Sequence, residues 1–321
     1  MRHADTATLG SGGPVVTHLG LGSSVIGGLF APVTDDAAHA VVRRALELGI
    51  RYVDTAPLYG LGASERRVGE ALADYPRDAF ALSTKVGRLL REDAPEHEVL
   101  PEGMWHTPAS TSPVFDFSRD GVRRSLLESL ERLQLDRVDV AYVHDPDDHL
   151  DQAISEALPA LAELRDEGVL GAVGAGMTNA DALARIVRES GPDCILLAGR
   201  YTLLDQTGLA ALLPLCERDG VAVVAGGVLN SGVLADPSPG ARFDYRPAPA
   251  PVIERALRAA EICARHGVPL PAASLQFALG HPAVVAVLTG VRSVSELEAN
   301  VADFDREVPP ALWDDLVGGG I

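Results

Sequence analysis

The chain has 321 residues, 47% of them hydrophobic and 22% charged, with 27 basic residues against 45 acidic ones for a formal charge of −18. That balance repels nucleic acid and anionic membrane and excludes both as expected partners. Met1-Arg-His-Ala-Asp-Thr-Ala-Thr has no apolar signal core and no stretch approaches the roughly 18 apolar residues of a span, so a cytoplasmic protein is expected. Cys194, Cys216 and Cys263 lie far apart among apolar neighbours, which predicts small core residues and neither a disulfide frame nor a metal site.

In chain order, short apolar runs alternate with longer amphipathic ones, the pattern of repeated βα units and a parallel sheet. Strands are expected to begin near Leu19, Ile50, Phe80, Val138, Leu170, Cys194, Val221 and Val284. Helices are expected over 35–48, 64–73, 118–133, 151–167, 179–190, 207–219 and 251–266, with a further one after Ser293. Thr34, Ser64 and Ser118 read as N-caps, and Gly49, Gly168, Gly220 and Gly267 fall where helices should stop. Eight units without a linker or composition break predict one domain over 1–321: an α/β chain closed into a (β/α)8 TIM barrel, with its site at the carboxyl ends of the strands. An open doubly wound sheet is disfavoured because Gly20-Leu-Gly22 is followed by Ser-Ser-Val, not by a dinucleotide fingerprint.

Two long loops break the rhythm and are expected over the carboxyl-terminal face. Residues 88–118 carry Trp105, His106, Phe115 and Phe117 and follow the strand that ends at Lys85; they read as a substrate wall or as a surface insertion. Residues 234–251 are rich in proline and carry Arg242, Phe243, Tyr245 and Arg246, a candidate clamp from the other side.

The chemistry gathers at three strand ends. Ile50-Arg-Tyr-Val-Asp54 runs into Thr-Ala-Pro-Leu-Tyr59-Gly60, Lys85 closes Phe80-Ala-Leu-Ser-Thr-Lys85, and His144 closes the run that ends in His144-Asp-Pro146. Alone, Asp54 reads equally as a cap or turn former and Tyr59 as a loop aromatic. Together, the four positions resemble, one for one, the Asp/Tyr/Lys/His tetrad of the aldo-keto reductase superfamily. The wording of Tyr59-Gly-Leu-Gly-Ala-Ser-Glu65, Phe115-Asp-Phe-Ser-Arg-Asp-Gly121 and Gly199-Arg-Tyr-Thr-Leu-Leu204 is similar to its sugar dehydrogenase branch. The resemblance runs from about Leu19 to Asn300.

It implies Tyr59 as general acid and base, Lys85 lowering the phenol's pKa, Asp54 holding Lys85, and His144 donating to the reacting oxygen. None of these groups carries a hydride, so a nicotinamide is required, NAD in preference to NADP because Glu296 repels a 2′-phosphate more than Arg292 attracts it. The implied cofactor residues are Gly22, Ser23, Met177, Tyr201, Gly227, Leu229, Ser231, Gly290, Arg292, Glu296 and Asn300. Tyr201 reads either as a ring at the cofactor or as core. Three departures from the family stand out: Gly176-Met177 replaces the Ser-Asn pair that grips the amide, Ala198 or Gly199 falls near its glutamine, and Ala299 replaces a glutamate. Thr178, Asn179 or Arg200 are candidate substitutes.

The implied reaction is oxidation of the anomeric carbon of an aldose, L-fucose or a D-threo sugar, to a lactone, by a monomer or small homo-oligomer. Trp105, His106 and Phe115 are expected as an aromatic wall, and Asp145 and Asp147 either as acceptors for ring hydroxyls or as turn residues. Pyridoxal oxidation, general aldehyde reduction, a non-catalytic cofactor-binding subunit and a Schiff-base lyase on Lys85 are the alternatives.

Overall fold

Eight parallel strands close on themselves, in the order in which the chain makes them, in a computed structural model that describes residues 2–92, 94–95, 97–108 and 110–321. They are β1 (Leu19–Gly22), β2 (Tyr52–Asp54), β3 (Ala81–Val86), β4 (Val140–His144), β5 (Ala172–Met177), β6 (Cys194–Ala198), β7 (Ala222–Gly226) and β8 (Val284–Thr289), with β8 pairing back onto β1. Each begins within two residues of its expected start. β2, β3, β4 and β5 are buried along their whole length, which is why the sequence shows apolar runs and not a polar alternation.

Helices cover the outside. Thr34 and Ser118 cap Asp35–Glu47 and Arg119–Leu133 as expected, each accepting from the backbone N–H three residues on. Gly49, Gly168, Gly220 and Gly267 all take positive φ where helices stop. Ser64 does not cap: the second helix, Ala63–Leu72, starts after Gly62, and Ser64 is buried inside it, bonded to Ser23 Oγ at 2.7 Å and Thr55 Oγ1 at 3.0 Å. The helix expected from Thr207 begins at Leu212 after a short 3₁₀ turn, and the one expected over 151–167 is interrupted by a π segment at Ala153–Ala157.

The sequence pattern missed the hairpin Thr6–Thr8 with Val15–Thr17 and the helices Leu270–Phe277 and Pro310–Gly318. Leu9 and Val16 of that hairpin pack with the inner residues of the barrel. Inside the barrel, Tyr52 and Tyr142 are fully buried and satisfy each other's hydroxyls at 3.3 Å. The three cysteines are buried and unpaired, the expected core role.

Both long loops acquire structure. Arg88–Glu92 pairs antiparallel with Thr111–Phe115, and residues 98–105 between them reach the mouth, where Trp105 bridges Leu29; Thr107 Oγ1 donates to Gly27 O at 2.6 Å. In the second loop, Arg242–Phe243 pairs with Arg246–Pro247, and the turn between them carries Tyr245 to the mouth.

Candidate active site

The carboxyl ends of β2, β3 and β4 bring Asp54, Lys85 and His144 together, and the turn after β2 brings Tyr59. Gly60 makes that turn possible: its φ is +62°, and a Cβ there would lie 2.1 Å from Gly27 O. Lys85 Nζ donates to Asp54 Oδ2 at 2.6 Å and to Thr55 O at 2.9 Å, while Ser83 Oγ donates to Asp54 Oδ1 at 2.7 Å. The ammonium lies 4.6 Å from the centre of the Tyr59 ring, and the His144 ring stands edge-on to that ring at 5.9 Å.

Electrostatics here differ from the expectation of an acidified phenol. Burial pushes the Tyr59 pKa well above its ordinary value, the Asp54 and Asp145 carboxylates push it further, and Arg88 opposes them. Lys85 is so closely paired with Asp54 that the pair presents little net charge to the phenol. Burial holds the His144 pKa well below the usual imidazole value, aided by Arg88 and Lys85, so the ring is neutral near neutrality. Asp145 behaves oppositely: burial raises its carboxyl to about 6, against the pull of Arg88.

Two cavities share Tyr59. The first, of about 200 Å³, is lined by Tyr59, Lys85, His144, Asp145, Arg88, Glu98, Trp105, Met104, Met177 and Thr178 among others. Asp145 stands in it with a φ of +42° and its Oδ2 3.5 Å from His144 Nε2. Trp105 approaches the Tyr59 ring at 5.9 Å. Trp105 Nε1 and His144 Nδ1 are buried without a partner among the described residues, an arrangement that leaves polar capacity for a ligand. His106 is exposed and reaches neither cavity; its backbone N–H bonds Gly28. Phe115 also stays out, stacked on Phe117 and against the Arg88 guanidinium. Asp147 turns away to accept from Asn179 Nδ2 at 3.0 Å.

The second cavity, of about 260 Å³, runs from Tyr59 past Gly22, Gly227, Leu229, Ser231, Gly290 and Arg292. Its wall is backbone: Gly227 has φ +61°, Asn230 +45° and Ser231 +58°, and the N–H groups of Val228 and Leu229 find no protein acceptor among the described residues. Successive free N–H groups in such a curve suit an anion, and a Cβ on Gly227 would press within 3.2 Å of Gly199 N. The residues therefore fit a dinucleotide's pyrophosphate. Tyr245 roofs both cavities, tied to Ser231 Oγ through its N–H at 3.0 Å.

Other expected cofactor residues fall elsewhere. Ser23 is buried beneath the floor, donating to Asp54 O, and Ser24 takes its place in the lining. Tyr201 packs on Phe277 at 5.1 Å within the buried core cluster, the core alternative. Glu296 accepts from the Arg292 N–H at 2.8 Å, and Asn300 donates to Thr289 Oγ1 at 2.7 Å, so both brace the loop that lines the cavity and are not in the lining themselves. Of the substitutes for the amide grip, Thr178 lines the first cavity; Asn179 caps the following helix and Arg200 is tied to Asp205 and Asp244.

A closed (β/α)8 barrel with these four side chains and an anion cradle at its mouth is the architecture of a barrel oxidoreductase. The family model described as "Aldo/keto reductase family" matches residues 18–317. The chain is 44% identical over 312 residues to D-threo-aldose 1-dehydrogenase of a Pseudomonas species, covering 95% of this chain and 94% of that one. It is 40% identical over 340 residues to pyridoxal 4-dehydrogenase of Microbacterium luteolum, covering 100% and 99%. Among solved structures, the holo form of an aldo-keto reductase from Bacillus halodurans superposes with a TM-score of 0.78 at 26% identity, covering 98% and 95%. The chain belongs to the aldo/keto reductase family and is an oxidoreductase that uses a nicotinamide cofactor.

Proposed function

We propose that this protein oxidises the anomeric carbon of a cyclic aldose to a lactone, with NAD as cofactor. The observation that carries this reading is Asp145: an ionisable acceptor beside the Tyr59–His144 pair, in a cavity that Arg88, Glu98 and Thr178 also line and whose apolar side is Leu58, Pro101, Met104 and Trp105. An unhydroxylated aldehyde gives such a carboxylate nothing to bind, whereas a sugar brings hydroxyls next to the reacting carbon. The 44% identity to an aldose 1-dehydrogenase supports the same choice.

Tyr59 takes the proton of the C1 hydroxyl, and neutral His144 holds the same oxygen and fixes which face of the ring is presented. Asp54 and the Thr55 carbonyl hold Lys85 in place. Trp105 supplies the flat wall on which the apolar face of a sugar rests. The cradle of 226–232 and the loop at Gly290–Arg292 would hold the dinucleotide, with Tyr245 above it. When bound, the oxidised nicotinamide supplies the hydride acceptor and a positive charge that favours the phenolate.

Pyridoxal is the second reading, carried by the 40% identity to a pyridoxal dehydrogenase and by the aromatic Trp105. Steady-state kinetics on a panel of aldoses and pyridoxal, with NAD+ and with NADP+, decide between them. The expected result is a higher kcat/KM for at least one aldose; a kcat/KM for pyridoxal above that of every aldose overturns the reading.

A further inference from the structure

Arg88 lies three residues past Lys85 and is 4% exposed, a costly burial for a guanidinium unless its donors are all employed. They are employed in three directions. Nη1 donates to the backbone carbonyl of His144 at 2.8 Å. Nε and Nη2 form a fork on Glu98, at 2.6 and 3.2 Å, and Glu98 belongs to the loop that supplies Val99, Leu100, Pro101, Met104 and Trp105 to the first cavity. Nη2 also stands 3.8 Å from Asp145 Oδ2, and the guanidinium rests on the Phe115 ring at 4.9 Å.

We propose that Arg88 is the positioning residue of the substrate site: through one guanidinium it fixes His144, anchors the loop wall at Glu98, and aims Asp145 as the acceptor for the hydroxyls beside the reacting carbon. The inference rests on the aldose reading and deepens it. Glu98 takes the fork, so the Asp145 carboxylate is left with a nearby cation but no hydrogen bond among the described residues. A carboxylate in that state keeps both oxygens for a ligand and remains ionised despite its burial. Two adjacent hydroxyls of a sugar match its two oxygens.

The geometry also explains how a loop 10 residues away is registered against His144. Arg88 stands at the start of the hairpin strand paired with Thr111–Phe115, and Ser125 Oγ from the following helix donates to its carbonyl at 3.3 Å. An arginine here does what a lysine cannot, because three separated donors in one plane are needed.

The test uses the full-length enzyme with an aldose it oxidises and the 2-deoxy form of the same sugar. Arg88→Met should cut the ratio of kcat/KM for the aldose over its deoxy form by about 30-fold, the size of one lost hydrogen bond to a charged group. The titratable and charged groups that face Asp145 are Arg88, His144, Lys85, Asp147, Glu98, Tyr59 and Tyr245. Removing Arg88 should therefore move the acid limb of kcat/KM upward from near 6, and Arg88→Lys should restore the limb in part but not the ratio. Glu98→Gln, which keeps Arg88 and serves if Arg88→Met does not fold, should raise KM for the aldose about tenfold with a smaller change in kcat. Equal losses on both sugars with an unmoved acid limb, or an unchanged KM in Glu98→Gln, overturn the proposal. A wild-type enzyme that oxidises no aldose sinks the underlying reading instead, before any variant is compared.

Discussion

Lys85 reaches Tyr59 through the face of its ring, with Nζ 4.6 Å from the ring centre, and gives its hydrogen bonds to Asp54 and Thr55. The phenol therefore meets a compensated ion pair, not a free cation. Removing either partner should leave the other's charge facing Tyr59. Lys85→Met exposes the Asp54 carboxylate and should move the alkaline-rising limb of kcat for oxidation upward by about one to two pH units; Asp54→Asn exposes Lys85 and should move it downward. Both variants should lose most of their turnover. pH profiles of kcat read the two signs, and a shift in the same direction for both refutes the pairing argument.

Tyr59→Phe should abolish nearly all turnover, by about 10³-fold or more, because the ring's packing on Trp105 and over Lys85 survives while the proton-transferring oxygen does not. Cofactor affinity, read by quenching of protein fluorescence, should stay within a few-fold. Wild-type turnover in this variant removes Tyr59 from the role.

Cofactor choice turns on Glu296 and Arg292. The Arg292 guanidinium lies 3.8 Å from Glu296, and both side chains are about half exposed. A carboxylate here discourages a 2′-phosphate even with the arginine beside it, so kcat/KM should favour NAD+ over NADP+. Glu296→Gln should narrow that preference roughly tenfold, the order expected for one partly screened charge. A wild-type preference for NADP+ contradicts the assignment.

The strands were readable from sequence because strands buried on both faces appear as short apolar runs, and the convergence of the four candidate side chains was readable because each closes such a run or follows it in a Pro-Gly turn. What escaped depends on contacts made across the chain. Arg88 meets Glu98 and Asp145 only once its hairpin and β4 are in place, although an arginine inside Val86-Gly-Arg-Leu-Leu90 was a visible signal of a paired buried cation. Ser64 looked like a cap because it opens an amphipathic run; close packing against Ser23 and Thr55 claimed its hydroxyl instead. Tyr201 and Tyr245 are both loop tyrosines with nothing local to separate them. The turn at Asp244 and Tyr245, with φ of +48° and +63°, sends one to the mouth, while Tyr201 is drawn onto Phe277.

Asp145 should carry a stability penalty for its place in the site. Its folded pKa is about 6 against an ordinary 3.8, so the protonated form is favoured by folding. With the folded value raised, the associated stability is present in full below about pH 4 and is lost as pH rises through 6. Above pH 7 the ionised carboxylate costs the fold up to about 3 kcal/mol from the shift alone, and nearer 1 kcal/mol once the 30% exposure of its side chain is allowed for. Asp145→Asn should therefore raise the melting temperature at pH 8 by about 2–4 °C while lowering kcat/KM for the aldose. At pH 3.5 the two proteins should melt close together, since the wild-type carboxyl is then largely protonated in both the folded and the unfolded chain. Thermal unfolding at the two pH values tests this directly, and a variant less stable than wild type at pH 8 contradicts a buried, under-bonded carboxylate at this position.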